Sequence, residues 1–289
     1  MADGLIKDGI FTPEVMSKKM ARNLDANSVW KDLVNHNWEG EIKNAGDTVI
    51  INKYGDITVK DYVIGTAIEY EHPEGENLIL KVDQQKYFAF FIDKISKVQA
   101  KPELIEGYFD RSKVAINLEK DTYLSTTAYA GIDAANVIST TGLTKDNAYA
   151  YFVQLMGALR WSNAIQNNGT GFDGKAPWAV VDPATLGVIL AAPEVIKDTD
   201  LGDKTVRKGV VASIAGFDIK VSTHSDRTET EKKIIVGTNE AITLADQIVE
   251  TQTVRDKDAI GGAYCSGLYV YGAKVVQPKA LAGGTVTLA

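Results

Sequence analysis

One stretch, Pro102–Ala130, sets the scale of anything this chain can fold into. Its spacing predicts a single helix of about seven turns, roughly 40 Å long at ~1.5 Å per residue. Leu104, Tyr108, Ala115 and Leu118 recur at helical spacing, and Ile105, Phe109, Ile116 and Tyr123 widen the stripe. Pro102 stands where a missing N–H costs nothing, and Glu103 puts a negative charge in the first turn, where the helix dipole favours it. Gly131 is the expected stop. Alone, such a helix reads as the core helix of some α/β domain, so the meaning lies in its flanks.

Residues 1–35 read as an arm. Thr12-Pro13-Glu14 is a helix start, and Val15, Met16, Met20 and Leu24 give it a weak apolar stripe. A segment this short has no core of its own and must lie on its own body or on a neighbour. Residues 36–97 carry strand signals: Thr48–Ile51 after Gly46-Asp47, Ile57–Val59 after Gly55-Asp56, then Tyr62–Ile64. A polar tip over Glu69–Glu76, with Pro73 and Gly75, leads to Leu78–Asp83, where apolar and charged residues alternate, and to the apolar run Tyr87–Ile92. This is a long antiparallel excursion. A two-stranded hairpin is marginal in water by itself, so it must fold back on the body or rest on another subunit.

Residues 132–251 read as a compact α/β insertion. Thr144 is placed to cap a helix bearing Ala148, Tyr151, Phe152, Leu155 and Leu159 on one face, with Asn167-Asn168-Gly169 as its stop. A buried strand Trp178–Val181 follows, and Asp182-Pro183 opens a short helix that Pro193 closes. Residues 198–209 form a charged loop, Gly216–Val221 and Ile234–Val236 are strands, and Thr223–Lys233 is polar. From 252 onward the chain returns to strand. Gly267–Val276 suits a strand buried on both faces, and the tail has Val286 and Leu288 able to pair as a last strand.

Composition closes off several function classes. The chain has 289 residues and a net charge of −7, with 31 basic residues scattered among 38 acidic ones, so sequence-specific nucleic-acid binding is not expected. The single cysteine, Cys265, allows no internal disulfide and reads as a small buried apolar residue. No secretory signal opens the sequence, and its longest apolar run falls far short of the ~20 residues that span a bilayer, so the expectation is a soluble protein made in the cytoplasm. Gly169–Lys175 has the spacing of a phosphate-cradling loop, but Ala176 stands where Ser or Thr would hold magnesium, and a helix precedes where a strand belongs. Asp198, Asp200 and Asp203 hint at a calcium loop, yet Gly209 occupies the position of the bidentate Glu. No catalytic grouping, metal set or cofactor site is expected, and the chain is not read as an enzyme.

The order of the pieces, more than any residue, resembles a known family. Arm, long hairpin, long helix, compact insertion and return to strand are similar to the major capsid proteins of tailed double-stranded DNA bacteriophages, with the Hong Kong 97-type fold. Three phrases add to the likeness: Gly46–Val49 followed by Ile57–Tyr62; Val82–Phe88 running on to Ile92-Asp93; and Ala241–Ala245 followed by Gly267–Val275. The resemblance implies an α+β fold with 1–35 as the N-arm, 36–97 as the extended loop and flanking strands, 98–131 as the spine helix of the peripheral domain, 132–251 as the axial domain and 252–289 as the rest of the peripheral sheet. It also implies a structural protein that self-assembles as pentamers and hexamers into an icosahedral phage head. Its partners would be a separate scaffolding protein, a portal and packaged double-stranded DNA, with no membrane. The chain would assemble in the host cytoplasm and end in the virion. Tyr62, Tyr70, Glu71, His72, Glu74, Asp198, Asp200 and Asp203 are the implied inter-subunit contacts. An encapsulin-like cargo shell shares the fold and is one alternative. A nucleotide-handling enzyme using Gly169–Lys175 is another.

Overall fold

The computed structural model describes residues 28–37, 48–55, 57–61, 64–65, 67–72, 75–92, 102–193, 213–224, 231–255 and 263–288. In chain order these form β1 (Thr48–Lys53), β2 (Glu76–Lys81), β3 (Gln84–Ile92), α1 (Pro102–Ala130), β4 (Thr140–Leu143), α2 (Ala148–Trp161), β5 (Trp178–Val181), α3 (Pro183–Leu190), β6 (Ser213–Ile214), β7 (Phe217–Val221), β8 (Glu231–Gly237), β9 (Ile242–Arg255), β10 (Ala263–Val275) and β11 (Leu281–Leu288). The expected helix start at Thr12 lies outside the described residues.

Helix α1 runs between the expected bounds. Its second half buries Ile116, Leu124 and Ala128, and on the same face Lys120, Asp121 and Ser125, while Ala115 is exposed. The helix lies against a three-stranded antiparallel sheet of order β3-β10-β9. Aromatic side chains make that contact: Phe109 meets Phe88 and Phe90 edge-on at 6.0 and 5.2 Å, and Tyr123 meets Tyr271 at 5.5 Å. Gly131 does follow the helix, but for a different reason than a left-handed cap. Its φ is not positive, and a Cβ there would strike the Val275 side chain, so the residue is small because β10 comes close.

The second body is a six-stranded mixed sheet of order β4-β11-β8-β5-β7-β6. Its centre is apolar throughout: Trp178–Val181 of β5 and Ile234–Val236 of β8 are buried, under Phe152, Leu155 and Leu159 of α2. Asp182 caps α3 as expected, accepting from the N–H groups of Ala184 and Thr185 at 3.2 Å each. Helix α2 differs at both ends. Asn147, not Thr144, organises its start, accepting from the Thr144 N–H at 2.8 Å and donating to the Gly142 carbonyl at 3.1 Å. It stops at Trp161, where Asn163 turns left-handed with φ 56°, before the Asn-Asn-Gly stretch is reached.

The sheets also divide the chain differently from its linear order. β9 begins at Ile242 and belongs to the three-stranded sheet, whereas β11, the last strand, pairs with β8 and β4 in the six-stranded one. A short apolar tail reads the same in either sheet, and only the pairing partner decides. The chain therefore crosses between the bodies at Thr238–Ala241 and again at Val276–Ala280, where the Val276 N–H donates to the Ala241 carbonyl at 2.8 Å.

β1 and β2 form a separate two-stranded ladder whose base rests on the three-stranded sheet. Gly272 of β10 lets it approach: a Cβ there would enter the Lys81 carbonyl and Val82 Cα. Gly157, in the middle of α2, has nothing within 4 Å of its Cβ position. Gly272→Ala is therefore expected to lower the urea stability of the chain by about 1–3 kcal/mol through overpacking. Gly157→Ala should raise it by up to about 1 kcal/mol through helix propensity.

Candidate functional site

The β1–β2 ladder runs from Thr48 opposite Lys81 to Lys53 opposite Glu76. Strand side chains alternate between faces, so Val49 and Ile51 share a face with Leu78 and Leu80. That face packs at the base on Val82, Ala245 and Val270. Beyond Lys53 the regular ladder ends, and the expected strand at Ile57–Val59 is not formed as such. The register nevertheless continues through side chains. The Thr58 N–H and Oγ1 both donate to the Glu71 carboxylate at 3.1 Å, and the Lys60 Nζ meets Glu69 at 3.1 Å. These two pairs keep the offset of the ladder beneath them, and Gly65, at φ +92°, turns near the tip.

Continuing that register sorts the outer hairpin into two faces. One carries the polar rungs Thr58–Glu71 and Lys60–Glu69. The other prolongs the face buried at the base and carries Ile57, Val59, Ile68 and Tyr70. Among the described residues nothing covers it: exposure runs from 65% at Ile68 to 95% at Val59. Covering such side chains stabilises by about 1.5–3 kcal/mol each. The surface salt bridge at Lys60 contributes much less. The arrangement is a rod anchored at one end: the face with Ile57, Val59, Ile68 and Tyr70 is mainly apolar, though the same register puts His72 and Asp61 on it, and the other face bears the charged rungs.

Three of the sequence-derived contact residues fall on this rod. Tyr70 is on the apolar face, His72 stands opposite Ile57, and Glu71 holds Thr58. Tyr62, Glu74, Asp198, Asp200 and Asp203 lie outside the described residues. Ile57, Val59 and Ile68 are not among the sequence-derived contacts; the alternation Ile57/Val59 and Ile68/Tyr70 shows a shared face, and only the structure shows that it is exposed.

A second polar centre sits where residue 28 meets α1. Asp121, 1% exposed, accepts from the Ser28 Oγ and the Val29 N–H at 2.8 Å each, and from the Trp30 N–H. Trp30 stacks edge-on against Trp178 at 5.5 Å, and Asn35 bridges β9 through the Ile242 carbonyl and the Leu244 N–H, both at 2.9 Å. Burial pushes the Asp121 carboxyl above its usual range, against the pull of the Val29, Ser28 and Trp30 bonds and of nearby His224. Among the described residues, the buried side-chain polar atoms lacking a hydrogen-bond partner are Trp30 Nε1, Trp178 Nε1 and Thr243 Oγ1, and all three belong to this junction. Each costs about 1–3 kcal/mol. That nearly offsets the ~1.5–3 kcal/mol contributed by burying each of Trp30, Leu33 and Val34. One residue earlier in α1, Lys120 pairs with Asp246 and lies over the Tyr269 and Tyr271 rings at 5.6 and 5.9 Å.

The glycine loop is occupied with itself. The Gly169 N–H donates to Gln166, Gly171 to Lys175, Gly174 to Gly171, and Lys175 to the Asp173 carboxylate at 3.0 Å. N–H groups spent this way cannot cradle a phosphate. Cys265 is buried. Among the described residues no three His, Cys, Asp or Glu side chains converge on a metal-sized site, and no helix is long and apolar enough to cross a membrane.

No family model matches the chain, and no curated protein sequence does. Solved structures do match. A chain from Mycobacterium phage Che8 superposes with a TM-score of 0.76 at 22% identity, covering 96% of this chain and 97% of that one. A chain from the capsid structure of cyanophage P-SCSP1u gives 0.76 at 12% identity, over 95% and 92%. One from the capsid of Ralstonia phage GP4 gives 0.66 at 12% identity, over 100% and 99%. At these identities the likeness establishes the fold, which is that of phage capsid chains.

Asp121 yields a stability prediction. Its folded-state value lies above the ordinary 3.8, so the folded chain takes up this proton more readily than the unfolded chain. Its contribution to stability therefore rises as pH falls through the raised value and levels off below the ordinary one. Urea midpoints followed from neutral pH to about pH 4 should show this component in the wild type and lack it in Asp121→Asn.

Proposed function

We propose that this chain is the major capsid protein of a tailed double-stranded DNA phage, a structural and non-enzymatic subunit that self-assembles into the icosahedral head. The observation that carries the reading is the outer hairpin, whose apolar face continues a buried one into solvent. A second copy of the chain, laid across Ile57, Val59, Ile68 and Tyr70, completes that face. The match of the whole chain to phage capsid structures supports the same conclusion.

In this reading the Hong Kong 97-type parts take their places. Residues 1–35 are the N-arm and 36–97 the extended loop. α1 with the three-stranded sheet, β9 included, is the peripheral body, and residues 132–241 with the returning strand β11 are the axial body. The axial bodies meet around pentamers and hexamers. A separate scaffolding protein guides closure, a portal occupies one vertex, and the head becomes part of the virion after assembly in the host cytoplasm. The net charge of −7 suits a wall that confines DNA without gripping it. Weak individual contacts suffice, because closure makes each one cooperative with the rest.

Electron microscopy of the purified chain, alone and with a candidate scaffold, tests the proposal. Wild type is expected to form closed shells. The double variant Ile57→Lys, Val59→Lys should remain dispersed while its urea stability stays within about 0.5 kcal/mol of wild type, since both side chains are solvent-exposed in the single subunit. A wild-type chain that stays monomeric at every concentration, or a double variant that assembles as wild type does, overturns it. Shells loaded with an enzyme and devoid of DNA would instead indicate a cargo container.

A further inference from the structure

The loop after α2 holds the one Asn-Gly step in the sequence, Asn168-Gly169. Asn163, Asn167 and Asn168 are all exposed and line one open cleft with Gln166, so they meet the same water. Asn168 differs from the other two in what surrounds its side-chain carbonyl. Asn163 and Asn167 are followed by Ala164 and Asn168, whose side chains crowd the next main-chain nitrogen. Gly169 has no side chain, and nothing lies within 4 Å of where its Cβ would stand. The Asn168 Oδ1 also accepts from the Thr170 N–H at 3.2 Å and from the Thr170 Oγ1 at 2.8 Å. Donors already aimed at an amide oxygen hold it more strongly as it takes up negative charge. One contact opposes: the Gly169 N–H donates to the Gln166 carbonyl at 2.9 Å. Releasing one neutral bond in an exposed turn slows a reaction by about tenfold at most, so it delays attack without blocking it.

We propose that Asn168-Gly169 is a self-modification site, where the chain converts Asn168 to aspartate and isoaspartate with water as co-reactant. Hydroxide takes the Gly169 N–H proton, and the nitrogen bonds to the Asn168 Cγ. The carbonyl electrons move onto Oδ1, under the Thr170 N–H and hydroxyl. They return as the Cγ–Nδ2 bond breaks, and ammonia leaves with a proton from water. Water then opens the cyclic imide at either carbonyl, and no atom is oxidised or reduced. Opening between the nitrogen and Cγ gives aspartate, whose carboxylate can keep both Thr170 bonds. Opening at the main-chain carbonyl routes the backbone through Cβ and Cγ, lengthens it and breaks the turn to Gln166. Either product adds a negative charge to a chain already at −7. The proposal concerns the single chain and holds whether or not copies assemble.

Peptide mapping of the purified full-length chain, kept dispersed in warm, mildly alkaline buffer and sampled over time, tests it. Mass spectrometry and chromatography separate the asparagine, aspartate and isoaspartate forms, and released ammonia is measured independently. Asn168 is expected to convert at least about tenfold faster than Asn163 and Asn167, at a rate that rises with hydroxide and with ammonia released in step. Thr170→Val keeps the N–H and removes the hydroxyl donor, and should slow Asn168 by about threefold or more. Thr170→Ser restores the hydroxyl and should return the wild-type rate. Conversion of Asn168 no faster than that of Asn163 and Asn167 overturns the site. A rate unchanged or raised in Thr170→Val, or lowered equally in Thr170→Ser, overturns the part given to Thr170.

Discussion

Everything distinctive about this molecule depends on a register that outlasts its ladder. Between Thr48 and Lys81 the hairpin is pinned, one face down on Val82, Ala245 and Val270. Because side chains alternate with a period of two, that pairing fixes the facing of every residue beyond it. Thr58 with Glu71 and Lys60 with Glu69 hold the offset after the backbone ladder has ended. The face that is buried at the root therefore remains the apolar one outward, and none of the described residues covers it. A slip of a single residue would move Ile57 and Val59 to the polar side, so the same rungs that look like minor surface contacts determine which face is dry.

The rest of the subunit holds that rod at a defined angle. α1 packs its aromatic side chains on the three-stranded sheet, and β10, the middle strand, supports the hairpin base through the space left at Gly272. The chain enters the six-stranded sheet after α1, leaves it at Thr238–Ala241 and returns at Val276–Ala280 to close it with its last strand. The buried face of α1 carries Lys120 and Asp121, each tying the helix to a distant part of the chain: Lys120 to β9, Asp121 to Ser28 and Val29. A helix that joined its surroundings only through apolar contacts could rotate or slide; specific pairs at two successive residues fix its register.

Much of this was legible in the sequence. The bounds of α1, the Asp182-Pro183 cap and the buried runs at Trp178 and Ile234 follow from periodicity and turn chemistry, which are local. What escaped reading was decided by partners far along the chain. Lys120 and Asp121 look like solvated charges until Asp246 and Ser28 are brought to them. Gly131 looks like a left-handed cap until Val275 arrives. The last strand reads equally well in either sheet until β8 claims it. On the proposed surface, the sequence points to Tyr70 through its place near the hairpin tip, whereas the alternation that includes Ile57, Val59 and Ile68 reads the same in sequence whether its apolar face is buried or exposed.

Accessibility of Tyr70 across assembly reaches the central claim most directly. A tyrosine-selective reagent applied to dispersed chains and to closed shells compares Tyr70, on the dry face, with Tyr54, which alternation places on the other. The account predicts that both react in the dispersed chain and that Tyr70 loses nearly all reactivity in the shell while Tyr54 loses less. Undiminished labelling of Tyr70 in closed shells would contradict it.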